Sequence, residues 1–299
     1  MAVSEVFSAA ELERLRRFPE PTRLELVRYF TLTGDQVEFL AGRRGDRNRL
    51  GLAVQMATLP WLGFVPDDVE AAPVEAVARL AGSLGIDPGV LAGYGRRDQT
   101  RTEQLRVTID RLGWRTATRS DWKMLSEFLS ARALERDSSK VLFAAACEFL
   151  RAEQVVRPGV VSLLERVGAA RDRAHEETWV RLAPLVTAAW RTVLDGMLVV
   201  DAALGGTRLE WLCRGPTVAS ARTIHGEIAK LSYLRSIGAD SVEMSVLPLE
   251  RLRFLAGVGR RASPAGLRRR EPTRRYPIVF ATATQAAVEV LDELVELFD

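Results

Sequence analysis

Arginine supplies most of the chemistry this sequence offers. Three clusters stand out: Arg43, Arg44, Arg47 and Arg49; Arg96, Arg97, Arg101 and Arg106; and the stretch from Arg260 to Arg275, which holds Arg268, Arg269, Arg270, Arg274 and Arg275. A guanidinium is a permanent cation whose planar fork of donors suits phosphate oxygens and, in the major groove, the edge of guanine. Neutralising phosphates in this way supplies most nonspecific affinity for DNA. The first two clusters precede or begin predicted helices, so basic side chains and helix N-termini fall together, which favours backbone phosphates. The same pattern also fits a solvated face laced with salt bridges, and the third cluster fits an exposed loop, so charge alone leaves both readings open.

Catalytic signatures are absent from the sequence. There is no GxxxxGK[ST] loop, no GxSxG elbow, no HExxH and no spaced Cys/His set. His175 sits in the charged run RDRAHEETW, where a solvated helix face is expected, and His225 is expected to be structural or exposed. The neighbouring carboxylates Asp67 with Asp68, and Glu176 with Glu177, point in different directions from a helix, unlike a metal-binding pair. The glycine-rich spots GYGRR (93–97) and LGGTR (204–208) lack the strand-to-helix context of a phosphate loop and read as turns. No enzymatic activity, metal or cofactor is expected from these residues. Cys147 and Cys213 lie far apart in apolar surroundings, which predicts packing thiols in a reducing, cytoplasmic compartment rather than a disulfide framework or zinc cluster.

The elements that must position the arginines read as helices. Ser8 with Glu11 three residues on forms a capping box, and Thr22 and Thr33 open two further helices after the breaks at Pro19 and Pro21. Leu50 to Leu59 reads as a buried helix that Pro60 ends. Val74, Val77, Ala78, Leu80, Ala81 and Leu84 predict an inward stripe stopped by Gly85, and Leu105, Ile109 and Leu112 another, on a helix whose outer face is rich in arginine. Further helices are predicted over 120–134, with Trp122, Leu125, Phe128 and Leu129 in the core, and over 138–150, 186–201, 217–235, 245–256 and 284–298. Between 160 and 186 the pattern predicts a helix, a turn at Gly168 and a longer helix, with a domain boundary near 152–160. Residues 257–277 look like a loop, and the short YPIVFA run is the one stretch that resembles a strand.

Composition is that of an ordinary globular protein: 47% hydrophobic and 27% charged residues in 299, enough to bury a sizeable core. The formal net charge is only +3, yet residues 257–277 carry seven arginines against Glu271, so this one stretch holds the basic excess. Lysine occurs only at Lys123, Lys140 and Lys230, a bias that a GC-rich genome also produces. The opening MAVSEVFSAAELERLRRF is unlike a signal peptide. The longest apolar candidate for a membrane span, Leu185 to Leu204, is broken by Arg191, Asp195 and Asp201.

A family is recognisable in the order RRGDRNRLGLAVQMATLPWLGFVPDD, VARLAGSLGID and LAGYGRRDQTRTEQLRVTIDRLGWR, which resembles the N-terminal region of replicative transposases of the Tn-three family. The matching pattern runs from a basic segment into LGxAxQ (Leu50, Gly51, Leu52, Ala53, Val54, Gln55), then to Tyr94 followed by Arg97, Thr100 and Arg101. VVRPGVVSLLERV, LEWLCRGPTVAS and EVLDELVELFD extend the resemblance over essentially the whole chain. The helical pattern and the boundary near 152–160 predict an all-α, multi-helical chain of two tandem helical domains, 1–155 and 156–299, and the resemblance implies a helical region that binds double-stranded DNA at transposon ends. A second copy of the chain or a full-length transposase is an implied further partner, and no membrane is. Strand transfer in the family belongs to a longer C-terminal part with a metal-binding acidic triad, so no catalytic residue carries over. The candidate DNA contacts are Thr100 and the arginines of the three clusters, while Leu50, Leu52, Ala53 and Val54 are expected in the core. The competing expectation is a helical module that assembles or regulates transposase subunits.

Overall fold

The computed structural model describes residues 6–95, 98–216, 218 and 220–298, with side chains except at 98–101 and 298. The fold is all-α. Apart from one antiparallel pair, β1 (Val200–Asp201) with β2 (Gly206–Thr207), the named elements are helices. By packing the chain divides into two compact units, Met1–Leu129 with Ser139–Gly168, and Ser130–Ser138 with Ala169–Asp299.

The first unit begins with α1 (Ala9–Arg14), α2 (Arg23–Tyr29) and α3 (Gly34–Ala41). Each opens on a complete capping box, Ser8 with Glu11, Thr22 with Glu25 and Thr33 with Gln36, which satisfies backbone donors that a helix start leaves unpaired. The centre of the unit is α4 (Asp46–Leu62), where every residue from Leu50 to Leu59 is buried. A helix without a polar face must be covered on all sides. Here α2, α3, α5 (Val74–Leu84), α6 (Asp98–Leu112) and two 3-10 turns, Val69–Ala71 and Pro88–Leu91, supply the cover. Pro60 does not end α4 as its type predicts. It falls in the last turn, where few backbone bonds remain to be lost, and Gly63, at φ +76°, closes the helix by donating its N–H to the Leu59 carbonyl at 2.8 Å. On α5, Val77, Leu80 and Ala81 are buried, but Val74, the first helical residue, is 83% exposed and Ala78 is exposed as well, both lying off the inward stripe.

The chain continues through α7 (Arg119–Glu135), α8 (Ser139–Ala152) and α9 (Val160–Leu182). The turn expected at Gly168 is absent, and α9 runs through it. Buried Leu163, Leu164, Val167, Ala170 and Ala174 keep one helical stripe across the glycine, whose cost inside a helix is only about 1 kcal/mol.

The second unit holds α10 (Ala188–Gly196), the β1–β2 pair, α11 (Arg208–Leu212), α12 (Ala221–Ser236), α13 (Leu249–Arg261), α14 (Pro264–Arg268) and α15 (Pro272–Phe298). Two expectations are corrected here. The segment 257–277 is largely helical, and YPIVFA lies inside α15, although Pro277 stands in its second turn. Every residue from Tyr276 to Thr284 is buried, and a continuous apolar run of this kind cannot be told from a buried strand by periodicity. Each unit thus packs around a helix with a continuous buried stretch, Leu50–Leu59 of α4 and Tyr276–Thr284 of α15. α10, α11, α12 and α13 pack on α15. Gly259 permits a close approach of α13 to α15, since a Cβ there would overlap the Thr282 side chain. Among the described residues no helix is long and apolar enough to cross a membrane.

Candidate nucleic-acid interface

The first arginine cluster occupies the turn between α3 and α4. Gly45, at φ +81°, reverses the chain and stands as the N-cap of α4, and no side chain caps that N-terminus. Arg43, Arg44 and Arg47 are exposed around it. Arg43 stacks on the Phe39 ring at 4.5 Å, and Arg111 of α6 approaches the same ring at 5.2 Å, so two cations meet at one aromatic ring. Arg47 donates from Nε to the Val90 carbonyl at 3.1 Å while remaining exposed. Arg49 behaves differently. Its donors reach the Leu40 and Ala41 carbonyls at 3.3 and 2.8 Å and Asp46 at 3.2 Å, so it caps the C-terminus of α3. Arg111 was not singled out by its spacing; only the contact with Phe39 brings it beside the cluster.

In the second cluster, Arg106 is exposed on α6. Arg96 and Arg97 lie outside the described residues, as do the side chains of Thr100 and Arg101, whose backbones belong to α6. The LGxAxQ residues and Tyr94 have another role. Gly51 carries no Cβ because the Tyr94 ring occupies that space, and Gln55 donates to the Tyr94 hydroxyl at 3.1 Å and accepts from Thr108 Oγ1 at 3.3 Å. The Tyr94 hydroxyl in turn donates to Gln104. This buried polar network ties α4 to α6, and burial pushes the Tyr94 phenol well above its ordinary pKa. Leu50, Leu52, Ala53 and Val54 are core residues, as expected.

The third cluster belongs to the second unit. Arg268, Arg269 and Arg270 are exposed where α14 gives way to α15. Arg274 pairs with Asp172 at 3.4 Å, both side chains being largely exposed. Arg275 is drawn inward: it pairs with Asp195 at 3.0 Å, donates to the Arg268 carbonyl at 3.3 Å and stacks on Tyr276.

Comparison with known proteins places this surface in a family. The sequence pattern of a domain of unknown function, DUF4158, matches residues 6–170. The chain belongs to the DUF4158 family. The matched span closes within two residues of Gly168, where the first compact unit ends, so the α3–α4 surface lies inside the DUF4158 region and the third arginine cluster lies beyond it. This DUF4158 chain is 29% identical, over 98% of its length, to the transposase for transposon Tn501 of Pseudomonas aeruginosa. It is 26% identical over 99% of its length to the transposase for transposon Tn1546 of Enterococcus faecium, and 28% over 94% to that for transposon gamma-delta of Escherichia coli K12. The chain spans only 28–30% of the length of these relatives. Homology to Tn-three-family transposases therefore runs through both units of the DUF4158 chain.

One cluster in the DUF4158 protein departs from its sequence pattern. His175, expected on a solvated face, is half-buried between Asp137 and Arg251. Arg251 is fully buried and donates to Thr178 Oγ1 at 3.0 Å and to His175 Nδ1 at 2.9 Å. A guanidinium has no acceptor, so Nδ1 must accept, which leaves Nε2–H to donate to Asp137 Oδ2 at 3.3 Å. Arg171 Nε donates to the other carboxylate oxygen at 2.6 Å. Burial opposes ionisation of Asp137, but the hydrogen bonds from His175 and Arg171 and the Arg171 charge outweigh it and hold the carboxyl below its ordinary pKa. No sequence signal marks this set, because Asp137, His175 and Arg251 come from three separate parts of the chain. Among the described residues, no group of three or more histidines, cysteines, aspartates or glutamates is placed to hold a metal ion.

Proposed function

We propose that this chain recognises the terminal inverted repeats of a transposon by binding duplex DNA, without turnover. The α3–α4 surface carries the proposal: Arg43 and Arg111 meet at Phe39 while Arg44 and Arg47 surround a helix N-terminus that no side chain caps. Phosphate oxygens suit both the guanidinium groups and the positive end of α4. The names of the relatives support the reading, since each is the transposase of a mobile element. The test is a binding titration at two salt concentrations with a transposon end and a scrambled duplex of equal length. Tight, selective, salt-steep binding is expected, because neutralised phosphates release counterions. Equal, weak binding to both duplexes would reduce the surface to a general DNA contact.

A second reading has its own observation. Val288, Leu291 and Val295 form an exposed apolar stripe on α15, each about half exposed, which fits a helical module that holds transposase subunits together. Absence of DNA binding in the same titration, with association that is flat in salt, would favour it.

A further inference from the structure

The second unit contains a cavity of about 240 Å³ beside the Asp137 cluster. Its wall includes Arg171, Arg270 and Arg274, from α9, the α14–α15 turn and the first turn of α15, so three cations from separate segments face one space. Thr273, also in that first turn, adds a hydroxyl at the positive end of a 27-residue helix. Phe254 and Ile278 add apolar groups to the lining.

The acidic groups nearby do not cancel this charge. Asp137 is held by Arg171 and His175, with the buried Arg251 guanidinium 3.9 Å from it, and Asp172 makes only a long, solvent-exposed pair with Arg274. With Glu271, which immediately precedes α15, four guanidinium groups stand against three carboxylates, two of them exposed and screened. Arg270 is exposed at the rim.

We propose that this cavity is a binding site for a phosphate ester, distinct from the α3–α4 surface. The arginine forks and the N-terminus of α15 take the phosphoryl oxygens, and Phe254 and Ile278 take the organic part of the ester. The cavity exceeds what a single water fills, a water's share of liquid volume being about 30 Å³. Nothing in the proposal depends on transposon-end recognition.

The experiment is a calorimetric titration of the full chain with adenosine 5′-monophosphate and with inorganic phosphate at constant ionic strength, using the wild type, Arg270→Ala and Arg274→Ala. Both substitutions are at exposed side chains, so each variant is expected to fold, with circular dichroism as the check. Saturable binding by the wild type, weakened by about tenfold or more in either variant, is the expected result. Phosphorus NMR of bound phosphate then separates the sources: displacement by a scrambled duplex identifies a DNA backbone phosphate, and retention identifies a free phosphate ester. Absence of saturation, or equal affinity in all three proteins, overturns the proposal.

Discussion

At the scale of single residues, the Tyr94 ring decides what can stand at Gly51. A methyl group there would meet the ring, and the network through Gln55 and Gln104 prevents the ring from moving aside freely. Gly51→Ala is expected to destabilise the first unit by about 1–3 kcal/mol, read as a lower urea midpoint, and Tyr94→Leu in the same background should recover part of the loss. Gln154 presents the opposite case. It adopts φ +53° just beyond α8, a left-handed conformation that glycine takes with little cost, and the following Val155 N–H bonds to the Leu150 carbonyl at 2.8 Å. Gln154→Gly should raise stability by up to about 1 kcal/mol after the flexibility gained by the unfolded chain, read as an increase in Tm, and an unchanged or lower Tm would refute strain at this position.

At the scale of elements, Arg251 links α13 to α9 and to the end of α7 through Thr178, His175 and the Ala133 carbonyl. Arg251→Met keeps the side-chain volume but leaves these acceptors unpaired and weakens the field that keeps Asp137 ionised. A loss of about 3 kcal/mol is expected in denaturant unfolding, far more than for an exposed arginine such as Arg269. The sign of the pH dependence follows from Asp137. Its folded pKa lies below the ordinary carboxylate value, so the ionised cluster stabilises the fold above the unfolded pKa, and that contribution disappears as pH falls through the folded one. Urea midpoints measured downward from neutral pH should drop less steeply in Asp137→Asn than in the wild type. Parallel slopes would show that the acid limb belongs to other carboxylates.

At the scale of the whole molecule, the net charge of +3 is too small to hold DNA by itself, so affinity must come from where the cations stand. If Arg43, Arg44 and Arg47 each neutralise a phosphate, the logarithm of the binding constant should fall against the logarithm of salt with a slope near −3, roughly 0.9 per contact. Arg44→Glu with Arg47→Glu should flatten that slope by about two contacts and leave the circular dichroism spectrum unchanged, since both side chains are exposed. An unaltered slope would remove the α3–α4 surface from the interface. The sequence by itself determined the all-α class, the starts of the three N-terminal helices, the buried character of α4 and the kinship with transposases, because caps and periodicity are encoded within a few neighbouring residues. Only the tertiary structure decided which cations remain available. Arg49 is consumed by the end of α3 and Arg275 by Asp195, Arg111 is brought to Phe39, and His175 is taken between Asp137 and Arg251. The physical reason is common to all four: a charged side chain's availability depends on the partners that folding brings to it, and most of these lie far away along the chain.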